Sequence, residues 1–219
     1  MDVPNPWFTW DYLERNGADV AEHLSIHATL TAQAMGIALA IALPLAIVGH
    51  FYPRAAKPIL GVSAVMYTIP SLALFALLAP LTGIGRTTVL IGLVAYAMLA
   101  LVKNILTGLQ GVDRDVVDAA RGIGFSRLRL LFSVEIPNAL PAIFSGLRVA
   151  TVTTVALVTV GIVVGYGGLG QLMFRGFTRN YRAEIATNGL LIVLLALAAD
   201  LLLLALAWAL TPWARKRSS

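Results

Sequence analysis

Long runs of apolar residues alternate with short polar segments along this chain, and the runs have the length needed to cross a lipid bilayer. A transmembrane helix needs about 20 consecutive, predominantly apolar residues. Five runs meet that requirement, approximately Leu24 to Gly49, Pro58 to Leu81, Thr87 to Leu109, Ala139 to Val164 and Ile185 to Leu210. The pattern predicts an all-α integral membrane protein with five transmembrane helices, whose membrane domain covers residues 24–210.

The polar segment 111–137, between the third and fourth spans, is longer and more organised than the others. From Val112 to Ile123, apolar residues recur at helical spacing while the charged residues occupy the other positions, which predicts a short amphipathic helix. Gly122 and Gly124 allow a sharp turn after it. A segment that only connects two spans rarely needs such a helix and a glycine turn, so we interpret it as a docking element for a partner in the water phase.

The chain then returns to the membrane through a second amphipathic stretch, Ser126 to Val134. Pro137 follows, and because it lacks a backbone N–H we expect it to break or kink the chain where the fourth span begins.

Composition agrees with the membrane class and excludes several chemistries. Hydrophobic residues make up 58% of the 219, only 12% are charged, and the mean hydropathy is +0.83, whereas about 25% of the residues of soluble domains are charged. The absence of cysteine excludes disulfides, thiol nucleophiles and cysteine-ligated metals. No G-x-x-x-x-G-K-[ST] motif occurs, so we expect no ATP hydrolysis, and no enzyme activity, in this chain.

The two ends differ from the spans and from each other. Residues 1–23 are polar, aromatic and acidic, without the basic start and short apolar core of a cleavable signal, so we expect them to be retained. Trp7 and Trp10 suit either a segment at the membrane interface or an amphipathic helix that leads into the first span. Residues 211–219 form a basic tail.

Lysine and arginine predict the orientation, because positively charged loops tend to stay in the cytoplasm. With five spans the ends lie on opposite sides. One side would carry Arg54, Lys57, Arg114, Arg121, Arg127, Arg129, Arg215, Lys216 and Arg217, and the other Arg15, Arg86, Arg175, Arg179 and Arg182. The first side is therefore predicted to be cytoplasmic, which places the amino terminus outside, although the cluster around Arg175 argues mildly against this orientation.

The segment 111–137 resembles the EAA loop of permease subunits of ABC importers. In that loop, Glu-Ala-Ala is followed by three residues, Gly, nine residues, Ile, any residue, Leu and Pro. This chain has the same spacing, with Asp for Glu, Val for Ile and Ile for Leu, at Asp118, Ala119, Ala120, Gly124, Val134, Ile136 and Pro137. The resemblance implies a type I ABC importer permease-like fold, with these residues in a coupling helix that docks on a cytoplasmic ABC ATPase.

Two other stretches, 68–85 and 160–177, resemble permeases of the glycine betaine, choline and carnitine importers, and more distantly methionine-type importers. The resemblance implies a multi-pass protein of a bacterial inner membrane that forms the path for a small solute, most simply a quaternary ammonium osmoprotectant. It also implies a second permease copy or paralogue, ATPase subunits that bind the ATP and Mg, and a separate extracytoplasmic substrate-binding protein. We expect no cofactor in this chain and no nucleic-acid partner.

Candidate pathway residues are aromatic side chains and points where a span is interrupted. Proline within a span frees backbone groups, which are tolerated where protein or a water-filled path satisfies them, although a simple packing kink has the same signature. The candidates for the path or its gate are Tyr67, Ile69, Pro70, Ser71, Tyr96, Gly165 and Tyr166. Gly165 opens a G-x-G-x-x-G sequence, but without a surrounding βαβ unit we interpret it as a close-packed turn and not as a dinucleotide site.

Charged and metal-binding residue types within the spans leave alternatives open. Asp200 is acidic within the fifth span, and it is either a structural group paired with a neighbouring helix or the proton or cation relay of an ion-coupled secondary carrier. We expect Lys103 and Arg148, near span ends, to snorkel towards the interface. His23 and His27 are four residues apart but lack an evident third ligand, so we expect an incidental pair and no metal site.

Overall fold

The structure is a computed structural model that describes residues 5–213 of the chain, and most of this range is helical. The α-helices are α1 Trp10–Phe51, α2 Pro53–Thr68, α3 Ser71–Thr82, α4 Arg86–Gln110, α5 Arg114–Gly122, α6 Arg127–Leu130, α7 Ile136–Val160, α8 Leu169–Thr178 and α9 Arg182–Leu210. A π-helical turn, Leu131–Glu135, joins α6 to α7, and a 3₁₀ turn, Gly161–Val164, follows α7.

The predicted all-α membrane architecture is confirmed. Four helical segments are long and apolar enough to span a membrane, namely α1, α4, the stretch Arg127–Val164 and α9. The remaining predicted span is divided into α2 and α3, which are bent by 99° relative to each other. There are thus five spans if this bent pair crosses the membrane as one.

The break between α2 and α3 follows from its sequence. Proline disfavours the helical conformation of the residue before it, and Ile69 accordingly has the extended torsions φ −65° and ψ 127°. The carbonyl of Pro70 then accepts from the N–H of Leu74 at 2.9 Å, which starts α3 in its new direction.

Helix α1 is longer than the predicted first span, because it begins at Trp10 and not near Leu24. The hydroxyl of Thr9 accepts from the N–H of Tyr12 at 3.3 Å and caps its start. Much of the predicted amino-terminal tail is therefore a continuous extension of the first span. Most of the predicted basic tail, residues 214–219, lies outside the described residues.

The core lies where α4 packs between α1 and α7. On α1, the alanines Ala38, Ala42 and Ala46 are fully buried at a spacing of four residues, and such small side chains let helix backbones approach closely in a membrane. They pack in one cluster with Leu101 and Ile105 of α4. The loop that contains α5 continues from one end of α4, and the broken helix α2–α3 packs against α4.

The return to the membrane after α5 differs from our prediction. We expected Pro137 to break or kink the chain and the fourth span to start at about Ala139; the structure shows no break, because helical turns continue from Arg127 to Val164 through the π-helical turn. The π-helical turn Leu131–Glu135 ends two residues before the proline, and such turns are a common cause of bends in helices. The side-chain amide of Asn138 also donates to the carbonyl of Val134 at 2.8 Å.

Glycine at position 146 is expected to be essential for the α4–α7 contact. A Cβ there would lie 2.6 Å from Cβ of Asn104, so Gly146→Ala should overpack the interface and lower the stability by about 1 to 3 kcal/mol. Thermal unfolding of the detergent-solubilised protein measures this. Gly36→Ala is the matched control, since no atom lies within 4 Å of a Cβ there; equal melting temperatures for the two variants would contradict the packing argument.

Candidate functional site

The loop between α4 and α7 consists of two short helices joined by a tight turn. The Asp113 carboxylate accepts from the N–H of Asp115 at 3.0 Å and caps α5. Gly124 has φ +88°, a conformation that favours glycine, and it reverses the chain after α5. The N–H of Phe125 donates to the carbonyl of Ala120 at 3.1 Å. The loop therefore has a defined shape, and of the two glycines expected to form the turn only Gly124 does so, because Gly122 ends α5.

The predicted apolar face of α5 is divided in the structure. Ala120 is buried against the rest of the chain, whereas Val116 and Ala119 are exposed. Beyond α5, three large apolar side chains are even more exposed, at 77% for Ile123, 64% for Leu128 and 62% for Phe132. The loop thus presents an apolar surface that no other part of the described chain covers.

The seven residues of the EAA-like pattern fall into two structural groups. Asp118, Ala119 and Gly124 are exposed on and after α5. Asp118 makes only a 3.4 Å ion pair with Arg121, and both of these side chains are mostly exposed, so the pair contributes little to stability. In contrast, Val134, Ile136 and Pro137 are half-buried, and together with the buried Ala120 they attach the loop to the membrane helices.

A buried carboxylate that the sequence analysis did not single out lies between these anchoring residues. The side chain of Glu135 is 6% exposed, and its Oε2 atom lies 3.1 Å from Nε2 of His50, at the end of α1. The contact ties α1 to the π-helical turn. An acidic residue between apolar Val134 and Ile136 was the available signal, but its partner is distant in sequence.

Five of the predicted pathway residues lie together at the broken helix. Ile69, Pro70 and Ser71 form the break, and the hydroxyl of Tyr96 donates to the free carbonyl of Ile69. The rings of Tyr67 and Tyr96 meet edge to face, with centroids 6.0 Å apart. Both tyrosines line a cavity of about 250 Å³ whose other lining residues are Ala97, Leu99, Ala100, Lys103, Asn104, Val149, Ala150, Thr153 and Thr154.

The other two pathway candidates lie elsewhere. Gly165 and Tyr166 belong to the turn between α7 and α8, where the N–H of Tyr166 donates to the carbonyl of Gly161 at 3.0 Å. Gly168 has φ +52°, and a Cβ there would lie 2.8 Å from Cβ of His27. This turn is closely packed, and residues 5–213 contain no β-strand that could build a dinucleotide site beside it.

The ionisable group in the fifth span has a partner. Nε and Nη2 of Arg148 on α7 each donate to a different carboxylate oxygen of Asp200 on α9, both at 2.7 Å. This two-point geometry is the strong form of an arginine–carboxylate contact. Our expectation that Arg148 snorkels towards the interface is wrong, because its guanidinium is held by Asp200 of the neighbouring helix α9.

A second charged cluster connects α1, α8 and α9 at the opposite end from α5. Arg175 donates to Glu184 at 2.7 Å and to Asp19 at 2.8 Å, and Glu184 is almost fully buried. Burial alone would lower the pKa of Arg175, but the hydrogen bonds to Asp19 and Glu184 raise it above the ordinary value. Arg175 belongs to the basic cluster that argued against the predicted orientation, and its charge is balanced by these two carboxylates.

The two histidines with metal-like spacing have separate environments. His27 is buried, with its Nε2–H directed at the carbonyl of Val155 at 2.9 Å, and His23 lies 3.0 Å from the carboxylate of Asp19. Across residues 5–213, no group of three or more suitable side chains could hold a metal ion.

Comparison with known proteins gives one family for nearly the whole chain. The profile of the family described as binding-protein-dependent transport system inner membrane component matches residues 34–216. The osmoprotectant import permease protein OsmW of Salmonella typhimurium is 36% identical over 209 residues, which are 93% of this chain and 97% of that protein. The carnitine transport permease protein OpuCB of Listeria monocytogenes is 32% identical, over 92% of each chain. The choline transport system permease protein OpuBD of Bacillus subtilis is 32% identical, over 94% of this chain and 92% of that one.

Solved structures share the fold. A chain of the MetNI methionine ABC transporter in an inward-facing conformation has a TM-score of 0.74 at 20% identity and covers 93% of this chain and 100% of its own. A chain of an amino acid ABC transporter, crystallised with histidines, has a TM-score of 0.76 at 18% identity, covering 94% and 99% respectively.

The Arg148–Asp200 pair provides a test of whether these charges are structural. Arg148→Met should lower the melting temperature by leaving a carboxylate unpaired inside the span, whereas the double variant Arg148→Met/Asp200→Leu should recover most of the loss, because it leaves no unpaired charge. Thermal unfolding in detergent compares the variants. A double variant no more stable than Arg148→Met would show that the charges are needed for another reason.

Proposed function

Because this chain belongs to the family of binding-protein-dependent transport system inner membrane components, we propose that it is the membrane-spanning permease subunit of an ATP-driven importer. Its cargo is a small quaternary ammonium osmoprotectant, such as glycine betaine, choline, carnitine or proline betaine. Relatives whose names specify carnitine, choline and osmoprotectant transport align over more than nine-tenths of this chain, which supports this substrate class.

The observation that carries the mechanism is the exposed apolar surface of the loop at α5. Val116, Ala119 and Ile123 are exposed on or directly after a capped helix, and a small residue such as Ala119 lets a partner surface approach closely. We assign this surface to docking on a cytoplasmic ABC ATPase, which binds and hydrolyses ATP with Mg. The half-buried Val134, Ile136 and Pro137 would transmit movement of the loop to α7.

The loop would lie in the cytoplasm, with the amino terminus outside and the carboxyl terminus inside. This orientation rests on the positive-inside tendency, since more of the lysines and arginines outside the spans fall on the side of the α5 loop than on the other side. The protein would be a multi-pass component of a bacterial inner membrane.

The permease would act as a pair. The cavity at Tyr67 and Tyr96 opens at the surface of a single chain, so a second copy or a paralogue is needed to enclose a path. Two permeases present two α5 loops to two ATPase subunits. A separate extracytoplasmic binding protein would deliver the solute.

Two other functions have less support. A methionine-type or other amino-acid importer agrees with the shared fold of MetNI, but 20% identity supports the fold alone. An ion-coupled secondary carrier would use Asp200 as its relay, but both oxygens of that carboxylate are engaged by Arg148.

Reconstitution tests the proposed function. In liposomes, the permease with its copurified ATPase and binding protein should accumulate radiolabelled glycine betaine or choline when ATP is supplied. This uptake should stop when a non-hydrolysable analogue replaces ATP. Undiminished uptake without ATP hydrolysis, driven by an ion gradient instead, would favour the secondary carrier.

A charged side chain on α5 should separate the permease from its ATPase. We expect Ala119→Arg to abolish copurification of the ATPase and ATP-dependent uptake, because it places a bulky cation on the proposed docking surface. The variant should still insert and fold, since Ala119 is exposed in the chain. Ala18→Arg is the matched control, an equally exposed alanine on the outer part of α1. Normal copurification with Ala119→Arg would contradict the docking assignment.

The absence of cysteine permits a direct test of orientation. Ala119→Cys should react with a membrane-impermeant maleimide only when the cytoplasmic side is accessible, and Thr178→Cys on α8 should react only from outside. Both positions are exposed. The reverse labelling pattern would invert the topology and remove the docking proposal with it.

A further inference from the structure

The cavity next to Tyr67 and Tyr96 contains a cation that the mechanism above does not use. Lys103 lies on α4 seven residues after Tyr96, so both face the same side of the helix, and both line the 250 Å³ cavity. Within the described range, Lys103 makes no hydrogen bond or ion pair.

Polar side chains line the same cavity as Lys103. A charge facing hydrocarbon inside a span costs about 2.5 to 3.5 kcal/mol or more, whereas here Asn104, Thr153 and Thr154 line the same cavity. The amide nitrogen of Asn104 donates to the carbonyl of Ala100 at 2.8 Å, which leaves its carbonyl oxygen available to water or a solute. These polar side chains share the cavity wall with apolar residues of α4 and α7.

The opposite end of the cavity is aromatic and ordered. Tyr67 is 47% exposed, and its ring meets that of Tyr96 at an interplanar angle of 72°. The hydroxyl of Tyr96 is held by the carbonyl of Ile69, which fixes the orientation of its ring. Faces of aromatic rings attract alkylammonium cations.

The separation of the two ends suits a small zwitterion. Seven residues of α-helix place the Cα atoms of Tyr96 and Lys103 roughly 10 Å apart along the axis. Helical side chains lean towards the amino-terminal end of their helix, so the lysine reaches back towards the tyrosine. Ala100 lies between them, and its small side chain leaves the space open. The cavity volume is just below the range of about 300 to 1,000 Å³ typical of drug-sized ligands.

We propose that this cavity is a transit site for zwitterionic quaternary ammonium solutes. The Tyr67–Tyr96 pair holds the trimethylammonium group, and the ammonium of Lys103 holds the carboxylate. The path therefore favours carboxylate-bearing solutes such as glycine betaine over choline, whose single positive charge Lys103 repels. This inference rests on the proposed function, since it requires that the cavity lines the solute path.

Direct binding tests the selectivity without the binding protein. The permease–ATPase complex in nanodiscs, lacking the binding protein, is titrated with glycine betaine and with choline. The unchanged protein should bind glycine betaine more tightly than choline. Lys103→Met should weaken glycine betaine binding about tenfold, the loss of one hydrogen bond to a charged group, and should leave choline binding equal or stronger. Lys103→Arg should retain the preference, and Lys57→Met, at an exposed lysine of α2 that does not line the cavity, should change nothing.

A substitution at the aromatic end of the cavity should affect both solutes and not only one. Tyr67→Leu should weaken binding of both solutes by a similar factor, about three- to tenfold, because both carry a trimethylammonium group. Tyr67→Phe should retain the binding of both solutes, since the ring face remains. Copurification with the ATPase and a single peak in size-exclusion chromatography establish that each variant is folded.

Three results would overturn the inference: choline binding as tight as glycine betaine, a Lys103→Met variant that weakens both solutes equally or neither, or no detectable binding of either solute. In each case, ATP-dependent uptake of a quaternary ammonium solute by the complete transporter would leave the proposed function intact. If the complete transporter takes up no such solute, the proposed function itself fails.

Discussion

The structure depends on one constraint, which is that polar groups inside a membrane cannot rely on water for their hydrogen bonds. Helices satisfy the backbone internally. Where a helix is interrupted at Ile69, the exposed carbonyl is capped by Tyr96, and where a charge enters a span at Asp200, Arg148 neutralises it at two points. Lys103 differs from Asp200 and Arg148, because its side chain is exposed and pairs with nothing among the described residues.

The EAA-like segment combines two mechanical roles in one short sequence. Its first half is an exposed helix that ends at the Gly124 turn, and its second half, Val134 to Pro137, is half-buried at the start of α7. The π-helical turn and the buried Glu135–His50 contact lie in and beside that second half. A force applied to α5 would therefore reach both α7 and the end of α1. Under the proposed function, this arrangement converts closure of an ATPase dimer into movement of the spans.

Selectivity in such a transporter would be divided between two sites with different demands. A binding protein can hold its solute tightly, whereas a site within the path must release it again, so its contacts must be few. One aromatic pair, of which Tyr67 is exposed and Tyr96 is buried, and one lysine in a cavity of about 250 Å³ meet that requirement. The cavity is lined by α4 and α7, whose close packing depends on Gly146, so the shape of the path and the stability of the core are linked.

The sequence alone determined the membrane class, the approximate position of the spans and the amphipathic α5, because hydrophobic runs and helical periodicity are local properties. It also indicated the break at Pro70 and the turn at Gly124, since proline and glycine act on their own backbone. Only the tertiary structure could pair Arg148 with Asp200, Glu135 with His50 and Arg175 with Asp19 and Glu184, because most of these contacts join helices that are distant in the chain. The start of the fourth span was misjudged for a similar reason: the π-helical turn before Pro137 depends on how α6 and α7 join, which the proline by itself does not reveal. The cavity of Tyr67, Tyr96 and Lys103 likewise forms only where the end of α2 packs beside α4 and α7.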